Sequence, residues 1–188
     1  MTSPASIERV FVLGIDPGLS RCGYGMVGAG TGGVLRASVA GVIETDPADP
    51  LHQRLWGAQQ QIVALISDLR PDVVAVERVF FQVNARTAMS VGQASGLALA
   101  AAAQFGCDVV QYTSNEVKQA LVGYGAASKS QVQMMVGAML GLESVPGPPD
   151  VADALALAVC HLTTCPLREA VQAALGSGAA LGHERVQG

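Results

Sequence analysis

Apolar and polar positions along the chain fall into two periods, and the switches between them predict ten elements. Residues 10–15 form a short apolar run closed by Asp16-Pro17-Gly18, the pattern of a buried strand ending in a turn. Residues 22–28 and 34–43 are β-prone runs between Gly-rich turns, so the first three strands read as an antiparallel meander. Leu51, Leu55, Ile62, Leu65, Ile66 and Leu69 then recur at helical spacing, and the helix must stop before Pro71. Residues 73–76 predict a second buried strand, ending in Glu77. A helix of small residues follows over 87–104, then a strand over 109–112. Two shorter helices are expected over 115–122 and 128–140, separated by Gly123-Tyr124-Gly125, and a last one over 151–164 after a Pro/Gly-rich loop. Residues 1–9 read as a loose start. Residues 1–168 are expected to form one domain and 169–188 a flexible C-terminal tail, Gly- and Ala-rich from Gly176.

Three meander strands followed by alternating helices and strands imply an α/β protein with a mixed five-stranded sheet and helices on both faces. The first strand and the Glu77 strand can then lie side by side and parallel. Alternation sends Val12, Gly14 and Asp16 to one face, and Val73, Ala75 and Glu77 to one face of the neighbouring strand. Asp16 and Glu77 would emerge together at the C-terminal strand edge, where open α/β sheets place their sites. The last helix begins at Pro148-Pro149-Asp150, with Asp153 three residues on and on the same side. Four carboxylates in one place repel one another unless a cation neutralises them. Oxygen-only ligands suit magnesium or manganese better than zinc. Two such ions ~4 Å apart can activate a water and stabilise the leaving oxygen in phosphodiester hydrolysis. Each acid taken singly also fits a plainer role: Asp16 as a turn cap, Asp150 as an N-cap, Asp153 as a solvated first-turn acid. Glu77 is harder to explain that way, because a carboxylate ending the run VVAV has little structural reason to be there.

Composition narrows the class. Half of the 188 residues are hydrophobic, 14% are charged and only 4% are aromatic, which describes a compact core of Ala, Val, Leu and Ile. The segment over 87–104 is interrupted by Ser90, Gln93 and Ser95, and residues 10–13 follow Glu8 and Arg9. No membrane span or secretory signal is therefore expected, and a cytoplasmic location is the default. Cys22, Cys107, Cys160 and Cys165 lack paired spacing; Cys160, His161 and Cys165 fall short of a four-ligand zinc set and read as reduced thiols with a neighbouring imidazole. The net charge of −4 counts against a nucleic-acid partner. Between residues 78 and 131, however, Arg78, Arg86, Lys118 and Lys129 face only Asp108 and Glu116, so the basic side chains are concentrated there.

The segments GIDPGLSRCGYG, VAVERVFFQVNARTA, VKQALVGYGAASKSQV and PDVADALALAVCH, in that order over residues 10–161, resemble the RuvC family of bacterial Holliday junction resolvases. The resemblance implies a ribonuclease-H-like fold, a homodimer, and paired symmetric nicks in two opposing strands of a four-way DNA junction during recombination and repair. It implies two Mg2+ ions per site, with Mn2+ able to substitute, held by Asp16, Glu77, Asp150 and Asp153. It further implies that Lys118 and Lys129 face DNA phosphates, that Phe80 stacks on an unpaired base, and that RuvA–RuvB is a possible partner. Arg86 joins the expected DNA contacts through its place in the loop that also holds Phe80, Phe81 and Asn84, with Phe81 expected to pack under the sheet edge. Arg78 beside Glu77 and the Pro-rich loop before Asp150 are small departures from the family pattern that bear on DNA contacts.

Lys118 and Lys129 are the only lysines in the chain and flank one loop, which favours a shared phosphate-binding role over two idle surface charges. Gly92, Gly96, Leu99 and Ala103 share a helix face that suits close approach of another helix, within the chain or from a second copy. Tyr124 rides in the loop, and Trp56, His52 and His161 read as structural. Three other readings compete. An actin-like or sugar-kinase ATPase would need a second domain and a Gly-rich adenosine loop that the chain lacks. A nonenzymatic nucleic-acid scaffold is at odds with four retained acids, and a related nuclease acting on other DNA structures stays open.

Overall fold

A computed structural model describes residues 10–30, 33–78 and 85–181, with side-chain environments through residue 165 except at 85–87. The five strands are β1 (Phe11–Asp16), β2 (Arg21–Ala29), β3 (Leu35–Glu44), β4 (Val73–Glu77) and β5 (Asp108–Tyr112), arranged in the order β3-β2-β1-β4-β5. β1 to β3 form the antiparallel meander, while β4 joins β1, and β5 joins β4, in parallel. The sheet is mixed and five-stranded, as the element order implies.

Helices α1 (Leu51–Leu69) and α2 (Ala85–Gln104) cover one face, and α3 (Ser114–Val122), α4 (Lys129–Leu140) and α5 (Pro149–Leu181) cover the other. The alternation of β1 and β4 divides the core accordingly. Leu13, Ile15, Val74 and Val76 pack under α1 and α2 with Ile62, Ile66 and Ala98. Val12, Val73 and Ala75 pack under α3 to α5 with Leu155, Val159 and Val136. In α1, Ala58, Ile62 and Ile66 are buried at four-residue spacing, and Arg70 closes the helix one residue before Pro71. Among the described residues, no helix is long and apolar enough to cross a membrane.

The C-terminus departs from expectation. The last helix does not end near Thr164 but continues to Leu181, through most of the expected tail. The segment REAVQAAL after Pro166 is rich in strong helix formers, which outweigh Gly176 and Gly178. Residues 1–9 and 182–188 lie outside the described residues.

Candidate active site

Asp16 is the last residue of β1 and Glu77 the last of β4. The parallel register pairs Gly14 with Ala75 and Ile15 with Val76, so one further residue sets the two acids level at the same strand edge. Helix α5 brings the remaining acids by lying unusually close to the sheet. A Cβ at Gly14 would stand 1.9 Å from the Ala154 carbonyl oxygen, and one at Gly23 would stand 2.1 Å from that of Asp150. No side chain fits at either position. The glycines let the helix backbone rest on the strands, and that depth places Asp153 beside Asp16 and Glu77.

The three acids open into a cavity of about 400 Å³ whose polar wall also includes Ser114, Lys118 and Lys129, with Val117, Val132, Ala156 and Leu157 as the apolar wall. The lysines are aimed by two helix starts. Thr113 caps α3: its hydroxyl accepts the Glu116 N–H at 3.1 Å, and the Glu116 carboxylate accepts the Thr113 N–H at 2.8 Å. Ser128 and Gln131 repeat the arrangement at the start of α4, at 3.3 and 2.8 Å. Lys129 is the first residue of α4, and its Nζ donates to Asp153 Oδ2 at 2.5 Å.

Asp150 is placed differently. It does not line the cavity; its Oδ2 accepts from Arg21 Nε at 3.0 Å, and Arg21 in turn bonds Glu44 on β3. Its charge still reaches Asp16.

Burial is the first cause of the Asp16 carboxyl's rise to about 7, and the nearby charges of Glu77, Asp153 and Asp150 add to it against the partial relief of Lys129. Burial and Asp153 likewise raise Glu77, while a hydrogen bond from Asp16 and the charge of Lys129 offset part of the rise. Lys129 is raised chiefly by its hydrogen bond to Asp153. Burial and mutual repulsion thus favour the protonated form of Asp16, while Lys129 and Arg21 offset the charges of Asp153 and Asp150.

That is the electrostatic condition a divalent cation would relieve, and the donor set, all carboxylate oxygen, matches a hard ion. As the side chains stand, no group of three or more acidic, His or Cys side chains among the described residues is gathered to hold an ion, Asp153 being engaged by Lys129 and Asp150 by Arg21. Both pairs are partly exposed, so exchanging either for a cation costs little.

Other expected residues are placed as follows. Arg86 is the second residue of α2, with its side chain outside the described residues, and Phe80 and Phe81 lie outside them altogether. Arg78 is tied to the edge strand, its N–H donating to the Tyr112 carbonyl at 2.8 Å. His161 is buried, with Nδ1 2.9 Å from the Tyr112 hydroxyl, in keeping with a structural role. Two site residues escaped the sequence reading. Ser114 directly follows the cap of α3, a position that the TSNE capping pattern after β5 could have flagged. Arg21 opens β2, and the β1–β2 pairing of Asp16 with Gly23 could have placed it near the strand edge.

Against known proteins, the sequence profile described as "Crossover junction endodeoxyribonuclease RuvC" matches residues 12–161. A protein of that description from Moorella thermoacetica is 49% identical over 160 residues, which cover 85% of this chain and 95% of the relative. The solved structure of Thermus thermophilus RuvC superposes with a TM-score of 0.78 at 38% identity, covering 84% of this chain and 96% of that one. T. thermophilus RuvC in complex with a Holliday junction substrate gives 0.76 at 34% identity, with the same coverage.

Proposed function

The chain belongs to the RuvC family of crossover junction endodeoxyribonucleases, and on that premise we propose how its cavity serves the activity. The chain is a metal-dependent endonuclease that binds four-way junction DNA and hydrolyses its phosphodiester bonds. We infer that Asp16, Glu77 and Asp153 hold the cation, that Asp150 joins them on leaving Arg21, and that Lys118 and Lys129 receive the phosphate. The single observation that carries this reading is that three acids and both lysines of the chain line one cavity at the strand edge.

Magnesium fits the donors, with two ions per site and manganese as a substitute; bound there, they supply charge neutralisation and Lewis acidity to the phosphodiester. The chain's own residues do the rest. Compensation of its charge would favour the deprotonated form of Asp16, leaving an anion among the other acids. Lys129, released from Asp153, is free to meet a phosphate oxygen, and Lys118 faces the cavity from α3. The apolar wall lowers the local dielectric, so each of these charges acts more strongly than it would in water. In-line attack of water at phosphorus would leave a 5′-phosphate and a 3′-hydroxyl. Phe80 and Arg86 belong to the same reading as DNA contacts.

Symmetric nicking needs two sites, and we propose a homodimer built on α2. Gly92, Gly96 and Ala103 are exposed there with Leu99 half-buried, leaving a shallow face for a second helix. A monomer at micromolar concentration would contradict this. RuvA–RuvB follows as a partner from family membership alone.

Incubating the chain with a mobile synthetic junction and a matched linear duplex, with Mg2+ or EDTA, tests the reading. Paired nicks in opposing strands of the junction alone, lost with EDTA, are expected. Equal cutting of the duplex would refute junction selectivity, and cutting in EDTA would refute metal dependence.

A further inference from the structure

Tyr124 is 62% exposed, midway between the two helices that deliver lysines to the cavity. Scattered exposed apolar side chains are ordinary, so its exposure alone decides nothing. The loop that holds it is the informative part. Gly123 ends α3 in a left-handed conformation at φ +75°, its N–H donating to the Gln119 carbonyl, and its own carbonyl accepts from Gln119 Nε2 at 2.9 Å. The Tyr124 carbonyl accepts the Ala127 N–H at 3.0 Å, and Ala127 is 1% exposed. A Cβ at Gly125 would stand 2.2 Å from Asn115 Oδ1, so the loop folds back against the first turn of α3, next to Ser114 at the cavity wall. The backbone on both sides of Tyr124 is held, while its ring is left in solvent.

Trp56, equally exposed at 62%, makes a useful contrast: it sits on α1, across the sheet from the acids. Of these two rings, only Tyr124 lies on the connection between Lys118 and Lys129. A DNA strand whose phosphate rested on those lysines would bring a neighbouring nucleotide toward this connection. Every base offers a π-face, so a fixed ring there adds affinity without reading sequence.

We propose that Tyr124 contacts DNA, its ring stacking on a nucleotide next to the phosphate held at the cavity. The proposal rests on the reading that the cavity takes a DNA phosphodiester. It makes Tyr124 a binding residue that acts through its aromatic face, beside lysines that act through charge.

The test is binding of the full chain to a fluorescently labelled synthetic junction in EDTA, by anisotropy, across a salt series. Wild type, Tyr124→Phe, Tyr124→Leu and Tyr124→Ala are compared, with thermal melting to show that all four fold. Tyr124→Phe should bind within about twofold of wild type. Tyr124→Ala and Tyr124→Leu should bind roughly five- to a hundredfold more weakly, with the salt slope unchanged because no cation is lost. A 2-aminopurine beside the cut site should be quenched by wild type and not by Tyr124→Ala. If wild type binds the junction and Tyr124→Ala matches it in affinity and quenching, the proposal is wrong and the enzymatic reading stands. If Phe fails as badly as Ala, the hydroxyl matters and stacking is refuted. If wild type does not bind the junction, the underlying reading fails and takes this one with it.

Discussion

The two faces of the sheet are built from the same two central strands and do opposite things. Toward α1 and α2, β1 and β4 present Leu13, Ile15, Val74 and Val76, large side chains that fill space. Toward α5 they present Val12, Gly14 and Asp16, and Val73, Ala75 and Glu77, a series that shrinks and then becomes charged toward the strand ends. One face spends its residues on packing. The other gives up side-chain volume so that a helix can come close, then places half-buried acids where it arrives. The lesson is that the site's geometry is carried by absent side chains as much as by present ones, and that its acids are held against their own electrostatics.

The sharpest way to separate the faces is to remove one charge. Glu77→Gln keeps the shape of β4 and should lower junction cleavage by about a thousandfold or more, since it removes a proposed ligand. Junction binding in EDTA should survive. Cleavage within tenfold of wild type would break the division between a packing face and a chemical one.

A steric pair sharpens it next. Gly14→Ala drives a methyl into the Ala154 carbonyl, against main chain that cannot rotate away. It should cost about 1–3 kcal/mol or more by urea unfolding and should depress cleavage even where the protein is fully folded, because α5 and Asp153 must shift. Ile15→Val on the opposite face should cost ~1 kcal/mol and leave cleavage by the folded fraction unchanged. Equal effects on activity would erase the distinction.

The electrostatic burden should appear in the pH dependence of the metal-free chain. Asp16 is raised from 3.8 to about 7, so the protonated form favours folding. That contribution is fully present below about pH 4 and is lost as pH rises through about 7, on the order of a few kcal/mol. Melting in EDTA should therefore give a lower Tm at pH 8 than this carboxyl allows at pH 5, and Asp16→Asn should flatten that part of the curve and raise Tm at pH 8. A mutant less stable than wild type at pH 8 would contradict the account.

The smallest effect is expected at Lys129. Its bond to Asp153 is well exposed on the lysine side, so Lys129→Gln should change stability by ~1 kcal/mol or less. Its loss should instead reduce the salt dependence of junction binding by about one unit of slope.

These contrasts also explain what the sequence could and could not reveal. Period-two alternation in two short apolar runs was enough to align Asp16 with Glu77, because a parallel neighbour leaves little choice of face. The capping boxes at Thr113 and Ser128 start α3 and α4 within one residue of where the apolar spacing alone put them. The Arg21–Asp150 pair was not legible: its partners are 129 positions apart, and they meet only because Gly23 lets α5 settle on β2. The split of roles between Asp150 and Asp153 was hidden for the same reason, since i and i+3 share a helix side yet reach different neighbours. The far end of α5 was not legible, because Pro166, Gly176 and Gly178 all disfavour a helix that the helix formers over residues 168–175 nonetheless sustain.

The account stands or falls on whether the half-buried acids at the strand edge form a cation site. Calorimetric titration of Mn2+ into metal-free protein at pH 8, without DNA, tests it most directly. The account predicts saturable binding by wild type that disappears in Asp16→Asn while that variant stays folded. Saturable binding of the same affinity in Asp16→Asn would contradict it.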